Sequence, residues 1–224
     1  MMRKICFAAV FFLLSGWAAF SQEFDKGKLD RYFDALRDNE KFMGSVAVSR
    51  NGEILFSRSV GFADVEKQQM AGADSRYRIG SISKTFTSVM VMKAVEAGKL
   101  TLEETIGKYF PALPNAGKIT VSDLLYHRSG IHSFTDNPDY LSWCTQSKTR
   151  KELEQIIVKG GSDFEPGSKM AYSNSNYVLL SIMLEKINKK PYDKLLMKFI
   201  ARPAKLKSTH YGGKINPPKN ECLS

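Results

Sequence analysis

The sequence has little of what disulfide scaffolds and metalloproteins need. Its 224 residues include only three cysteines and three histidines. Cys6 lies near the amino terminus, in an apolar leader, so Cys144 and Cys222 remain for the mature chain. These two allow one disulfide but not a disulfide framework. The histidines lack the spacing with acidic residues that is typical of metal ligands, so neither a metal nor a cofactor is predicted.

Long apolar runs are also scarce. The clearest, Ile5–Leu14, follows a basic start and precedes small residues. It is too short to span a bilayer and predicts a signal peptide at residues 1–21, with cleavage before Gln22. The mature chain, residues 22–224, then has no stable membrane span. We expect it to be exported, periplasmic or secreted, and monomeric.

Basic residues outnumber acidic ones, 33 to 23, for a formal charge of +10. Loss of two basic residues with the leader leaves +8. Such a surface favours anionic partners such as cell-wall polymers or membrane surfaces. Lysines spread along helix faces for solubility explain the charge equally well. No interleaved aromatic and basic pattern is present, so nucleic acid is not a predicted partner.

Apolar spacing predicts the first elements. A helix is expected over 24–37, and strands over 43–49 and 53–60 flank Asn51-Gly52, the strongest short signal for a hairpin with a type I′ turn. The polar stretch 61–76 is interpreted as an irregular crossing loop. A helix is then expected from about Ser81, ending near Gly98.

Later elements are predicted to be mainly helical. The segment 100–104 is expected to start a short element. Thr120-Val121-Ser122-Asp123 has the form of a capping box with Asp in place of Glu, opening a short helix. Further helices are predicted over 149–158, 177–187 and 192–200.

The first candidate site is Gly80-Ser81-Ile82-Ser83-Lys84. Because three residues are almost one helical turn, Ser81 and Lys84 would project from the same side of a helix start. An amine beside a hydroxyl can activate it as a nucleophile. Both residue types are common, and Ser81 as a helix cap with Lys84 as a solvated neighbour is the alternative.

The second candidate site is Tyr172-Ser173-Asn174, directly before a predicted helix. A tyrosine beside a cationic lysine can have its pKa lowered and then serve as a general base. The Asn174 side chain offers a donor and an acceptor that could hold a substrate amide. A buried tyrosine and a turn-forming asparagine are the alternative.

The order of these features is more specific than either motif. A hairpin, G-S-x-x-K at a helix start, L-L-Y-H-R-S-G-I, and F-E-P-G-S-K-M-A-Y-S-N-S-N-Y follow one another over about residues 43–211. This order resembles the serine β-lactamase-related family, which groups AmpC-type β-lactamases with D-alanyl-D-alanine carboxypeptidases and esterases. The resemblance implies an α+β fold of the β-lactamase/transpeptidase type, an α/β sandwich plus a helical region.

The resemblance also implies roles. Ser81 would be the acylated nucleophile and Lys84 its proton-accepting partner. Tyr172 would be the general base and Asn174 a contact to the substrate amide. His127 matches a motif that is structural in the family. The implied activity is acyl-enzyme hydrolysis of an amide or ester, with a β-lactam, a D-Ala-D-Ala peptidoglycan peptide or a small ester as substrate.

A third family motif, K-[ST]-G or H-x-G on a later strand, has no clear counterpart. His210-Tyr211-Gly212 lacks a preceding apolar run and is interpreted as a chance match. Because the chain ends at Ser224, 50 residues past Asn174, we expect a fold incomplete at the carboxyl terminus and weak activity or none. A non-catalytic binding or regulatory domain that retains the fold is the alternative. A basic module for anionic polymers ranks last.

Overall fold

The computed structural model describes residues 24–213, 215 and 221–223. The predicted signal peptide lies outside these residues. The chain divides into two compact units, one formed by residues up to 75 together with 217–224, the other by 76–216.

The first unit contains the predicted helix and hairpin. Helix α1 (Lys26–Asp38) begins at Asp25, whose carboxylate accepts the Lys28 N–H at 2.8 Å. Strands β1 (Gly44–Arg50) and β2 (Glu53–Val60) pair antiparallel. Asn51 and Gly52 have φ of 54° and 83°, the two positive values that a type I′ turn requires. The helix and the hairpin are therefore confirmed.

A small apolar cluster holds this unit together. Phe33 of α1 stacks on Phe56 of β2 with 6.0 Å between ring centroids, and Val60 is buried beside them. The sequence predicts an irregular loop over 61–76, but part of this segment is ordered as strands. It forms a short ribbon of β3 (Phe62–Asp64) and β4 (Gln69–Met70). Strands of two and three residues are too short to show an alternating pattern in sequence.

The second unit is mainly helical. Its first helix, α2 (Ser83–Glu96), follows a 3₁₀ turn at Gly80–Ile82 and ends before Gly98, whose φ is 63°. Helix α3 (Val121–Leu125) has the complete predicted capping box, with Thr120 and Asp123 bonded reciprocally. No helix or strand begins within residues 100–104, where the sequence predicts the start of a short element. A 3₁₀ turn forms instead at Ile106–Lys108, because backbone bonds tie the preceding segment to the start of α3.

A short helix, α4 (Tyr140–Trp143), comes next. The later helices cover the predicted regions with shifted bounds, and they are α5 (Arg150–Gly160), α6 (Asn174–Asn188) and α7 (Tyr192–Leu196). Helix α4 and a 3₁₀ turn at Phe134–Asp136 were not predicted, since a single turn leaves no periodicity to detect. Helix α7 continues as a π-helical turn over Met197–Ala201.

Helix α6 occupies the centre of the second unit. Its apolar residues are not confined to one stripe, as expected of a helix enclosed by others. The largest fully buried side chains of this core are Met90, Val91, Ile106, Phe110, Ile119, Leu124, Ile157, Leu179, Leu180, Met183, Leu184 and Leu195.

Cys144 is exposed and Cys222 is buried, and both thiols are free, so the disulfide that the sequence allowed is not formed. Within the part of the chain that the structure describes, no helix has the length and apolar character to cross a bilayer. The same residues contain no group of three His, Cys, Asp or Glu side chains suited to a metal ion.

Candidate active site

Ser81 lies on the 3₁₀ turn that leads into α2. Gly80 adopts a left-handed conformation, with φ of 49°, which a residue with a side chain adopts only with strain. The Ile82 N–H donates to the Ile79 carbonyl at 3.1 Å and closes the turn. Lys84 follows in the first turn of α2. The predicted placement of Ser81 and Lys84 on one side of a helix start is thus observed.

The two predicted motifs meet around the Ser81 hydroxyl. Ser81 Oγ lies 2.8 Å from the Tyr172 phenol oxygen. Lys84 Nζ donates to Ser81 Oγ at 3.1 Å. The same ammonium lies 4.8 Å from the centre of the Tyr172 ring. The hydroxyl therefore contacts a potential proton acceptor and a cation at once.

Asn174, the first residue of α6, connects this cluster to a neighbouring loop. Its Oδ1 accepts from Lys84 Nζ at 2.8 Å, and its Nδ2 donates to Thr135 Oγ1 at 2.9 Å. Its backbone N–H donates to Ser133 Oγ at 3.1 Å. Both ends of the amide are thus engaged by the protein, although an amide retains one further donor and one further acceptor site for a substrate.

The surroundings of Tyr172 change the pKa of its phenol. Partial burial raises its pKa, but contacts with Lys84 and Ser81 and the positive charge of Lys84 outweigh that effect. The pKa of the phenol is therefore below its ordinary value, and the phenolate is easier to form. Tyr172 remains 52% exposed, so the site is open to solvent.

His127 packs against this tyrosine. Its ring centroid lies 4.6 Å from that of Tyr172 and 5.3 Å from that of Tyr177. Burial, with a further effect of the Lys84 charge, lowers the pKa of His127. This shift favours the neutral imidazole. The sequence interpretation gave His127 a structural role, without relating it to Tyr172.

Ser133 and Thr135, which hold Asn174, were not singled out from the sequence. They lie in a polar segment that shows neither a motif nor a period. A separate shallow cleft, which none of the four predicted site residues lines, lies between α5 and the end of α6. It is surrounded by Arg150, Lys151, Glu154, Ile182, Glu185, Lys186, Lys189, Lys190 and Pro191.

Comparison with known families identifies the chain. The profile of the β-lactamase family matches residues 29–221. The protein belongs to this family, as the order of its motifs predicted.

Two curated relatives have similar sequences. Penicillin-binding protein 4* of Bacillus subtilis is 28% identical over 200 residues, covering 85% of this chain and 43% of the relative. The teichoic acid D-alanine hydrolase of Staphylococcus aureus is 29% identical over 184 residues, covering 82% of this chain and 44% of the relative. The chain thus spans less than half the length of these relatives.

A solved structure extends the comparison to the fold. The D-amino acid amidase of Ochrobactrum anthropi SV3, in complex with L-phenylalanine amide, superposes with a TM-score of 0.75 at 30% identity. The match covers 87% of this chain and 57% of the amidase. The predicted fold class, α+β of the β-lactamase/transpeptidase type, is confirmed.

Proposed function

We propose that this protein is a serine hydrolase that cleaves an amide or ester carbonyl through an acyl-enzyme at Ser81. One observation carries the proposal. The Ser81 hydroxyl lies within hydrogen-bond distance of both Tyr172 and Lys84, two groups that come from distant parts of the chain. A capping serine with a solvated lysine would need neither contact.

In this proposal Tyr172 transfers the protons and Lys84 supplies positive charge. The phenolate of Tyr172 takes the Ser81 proton while Oγ attacks the substrate carbonyl carbon. The resulting phenol then protonates the leaving amine or alcohol as the carbonyl bond to it breaks, which leaves an ester on Ser81. Water attacks that ester with the same proton transfers and releases the acid. Lys84 supplies the positive charge that favours the phenolate throughout.

The negative charge on the carbonyl oxygen also needs donors in place before the reaction. We infer that the backbone N–H of Ser81 supplies one of them. The first N–H groups of a helical segment have no intrahelical acceptor, and α2 adds the positive end of its dipole to the same place.

The substrate class we propose is a D-aminoacyl amide or ester. The support comes from the names of two similar proteins, one a hydrolase of D-alanine on teichoic acid and one a D-amino acid amidase. A β-lactam or a D-Ala-D-Ala peptide shares this chemistry and remains within the proposal. The leader pattern at residues 1–21 supports export of the protein to the cell envelope or beyond. Such substrates occur there.

Covalent labelling tests the proposal. The protein is incubated with a fluorescent penicillin and separately with a fluorophosphonate, and intact-mass and peptide mass spectrometry locate the adduct. We expect one adduct on Ser81 that Ser81→Ala abolishes, and this result would overturn the sequence-based expectation of weak activity or none. Ser83→Ala is the matched control, because it removes a hydroxyl from the same helix start. A protein that folds but takes no label from either probe would favour the non-catalytic binding domain instead.

A further inference from the structure

Three consecutive residues around the Tyr172 phenol are held by one histidine. The carbonyl oxygen of His127 accepts the Ala171 N–H at 2.9 Å. Its imidazole Nδ1 accepts the Ser173 N–H at 3.1 Å. Between these two bonds, the imidazole ring lies against the Tyr172 ring, tilted by 32°. His127 thus contacts the backbone on both sides of Tyr172 and the side chain in the middle.

Burial does not fix the position of Tyr172, because half of its surface is open to solvent. Its hydroxyl contacts Ser81, but that contact is one that a reaction must break and remake. A half-exposed aromatic side chain without a lateral support would sample other rotamers. The ring of His127 provides such a support on the face of Tyr172 that it covers.

The backbone conformation of His127 allows both of these contacts. Its φ is 56°, in the left-handed region at the end of α3. In this conformation the carbonyl and the imidazole of His127 both contact the segment 171–173. The imidazole nitrogen Nδ1 can accept a bond only when it carries no proton, so the neutral Nε2–H tautomer is required.

We propose that His127 is the positioning residue for Tyr172, and that its neutral imidazole sets the direction in which the Tyr172 hydroxyl faces Ser81. This inference rests on the proposed function only where it predicts a slower reaction at Ser81. The contacts themselves can be tested without any substrate.

The groups that face His127 favour the neutral form. Lys84 is the cation near it, and Tyr172 and Tyr177 cover its ring. Asn176 approaches Nδ1 to 3.4 Å. Protonation would remove the acceptor for the Ser173 N–H and place a second positive charge near Lys84. Both effects oppose protonation, in keeping with the lowered pKa of His127.

Two substitutions each remove one of the two contacts that the proposal requires, the ring contact or the acceptor. His127→Asn loses the ring but places an amide oxygen close to the position of Nδ1, and asparagine tolerates a positive φ. His127→Phe keeps a ring and loses the acceptor. His132→Asn is the matched control, because the His132 imidazole contacts Asp163 and not the tyrosine. Near-ultraviolet circular dichroism verifies that each variant is folded.

The decisive measurement is the titration of Tyr172 in protein labelled with ¹³C at the tyrosine ζ carbons, with Tyr172→Phe used for assignment. If His127 holds the phenol beside Lys84, the pKa of Tyr172 rises in both variants and stays at the wild-type value in His132→Asn. Labelling of Ser81 then slows by about 10- to 100-fold, the range expected for small misplacement of a catalytic group. An unchanged Tyr172 titration in either folded variant overturns the proposal.

The wild-type protein provides a second test that does not depend on variants. Long-range ¹H–¹⁵N correlation spectra at pH 7.5 report the tautomer of each histidine. We expect the Nε2–H tautomer for His127, and a cationic or Nδ1–H form would overturn the proposal. If Ser81 takes no label while these titrations behave as expected, the proposed function fails and the positioning role of His127 stands.

Discussion

The side chains of Lys84 and Asn174 are 90 residues apart in the chain, yet Lys84 Nζ donates to Asn174 Oδ1 at 2.8 Å. This bond joins the start of α2 to the start of α6. It fixes the ammonium between Ser81 and Tyr172, where its charge acts on the phenol. The two helix starts thus form one site.

Removal of the Tyr172 hydroxyl is expected to abolish most of the acylation. Tyr172→Phe keeps the ring that packs on His127 but has no oxygen to take the Ser81 proton. We expect labelling to slow by about 10²- to 10⁴-fold, the usual contribution of a general base. The measurement is the rate of fluorophosphonate labelling as a function of pH. Tyr126→Phe, at a tyrosine that is 65% exposed, is the control and should label at the wild-type rate.

The labelling rate in the same experiment is expected to rise with pH. If the phenolate is the base, the wild-type rate rises with pH and levels off above the pKa of Tyr172. That pKa lies below the ordinary tyrosine value of 10.0, so the rise occurs at lower pH than free tyrosine would give. Tyr172→Phe should lose this rise. A variant that keeps the wild-type profile would assign the base to another group.

Loss of the Lys84 charge is expected to raise the pKa of Tyr172. In Lys84→Met, partial burial of the phenol is no longer opposed by the ammonium. The titration of Tyr172 should therefore move upward, and labelling of Ser81 should fall. Lys93→Met is the control on the same helix, where the lysine pairs with Glu96 at the surface. Equal titrations in both variants would contradict the role assigned to Lys84.

Asn174 is expected to matter because it holds the ammonium in place. Asn174→Leu preserves the size of the side chain and removes the bonds to Lys84 and Thr135. Labelling should slow by about 10- to 100-fold, as for other small misplacements. Asn188→Leu is a close control, because Asn188 accepts from Lys99 at 3.0 Å near the other end of α6. A similar loss in both variants would point to a general effect on this helix.

Stability of the second unit should depend on the core of α6. Leu179 is fully buried, so Leu179→Ala leaves a cavity and is expected to lower the free energy of unfolding by about 2–5 kcal/mol. Urea unfolding followed by circular dichroism measures the change. Leu141→Ala, at a leucine that is 82% exposed, should change stability by less than about 0.5 kcal/mol. Equal effects would mean that α6 is not the centre of the core.

Local chemistry explains what could be predicted about the fold. The Asn51-Gly52 turn and the capping box at Thr120 follow from short-range backbone preferences, so the sequence shows them directly. The ribbon of β3 and β4 could not be predicted, because pairing of such short strands depends on their neighbours in space. The 3₁₀ turn at Phe134–Asp136 escaped prediction because a single turn leaves no periodicity to detect.

The sequence by itself determined the family, the order of the longer elements and the four residues of the candidate site. It could do so because Ser81 and Lys84 are neighbours on one helical turn. The tertiary structure alone decided that Tyr172 reaches Ser81, and that His127 supports the phenol. These contacts join residues that are far apart in the chain, and their distances result from the packing of α2, α3 and α6 rather than from local preference.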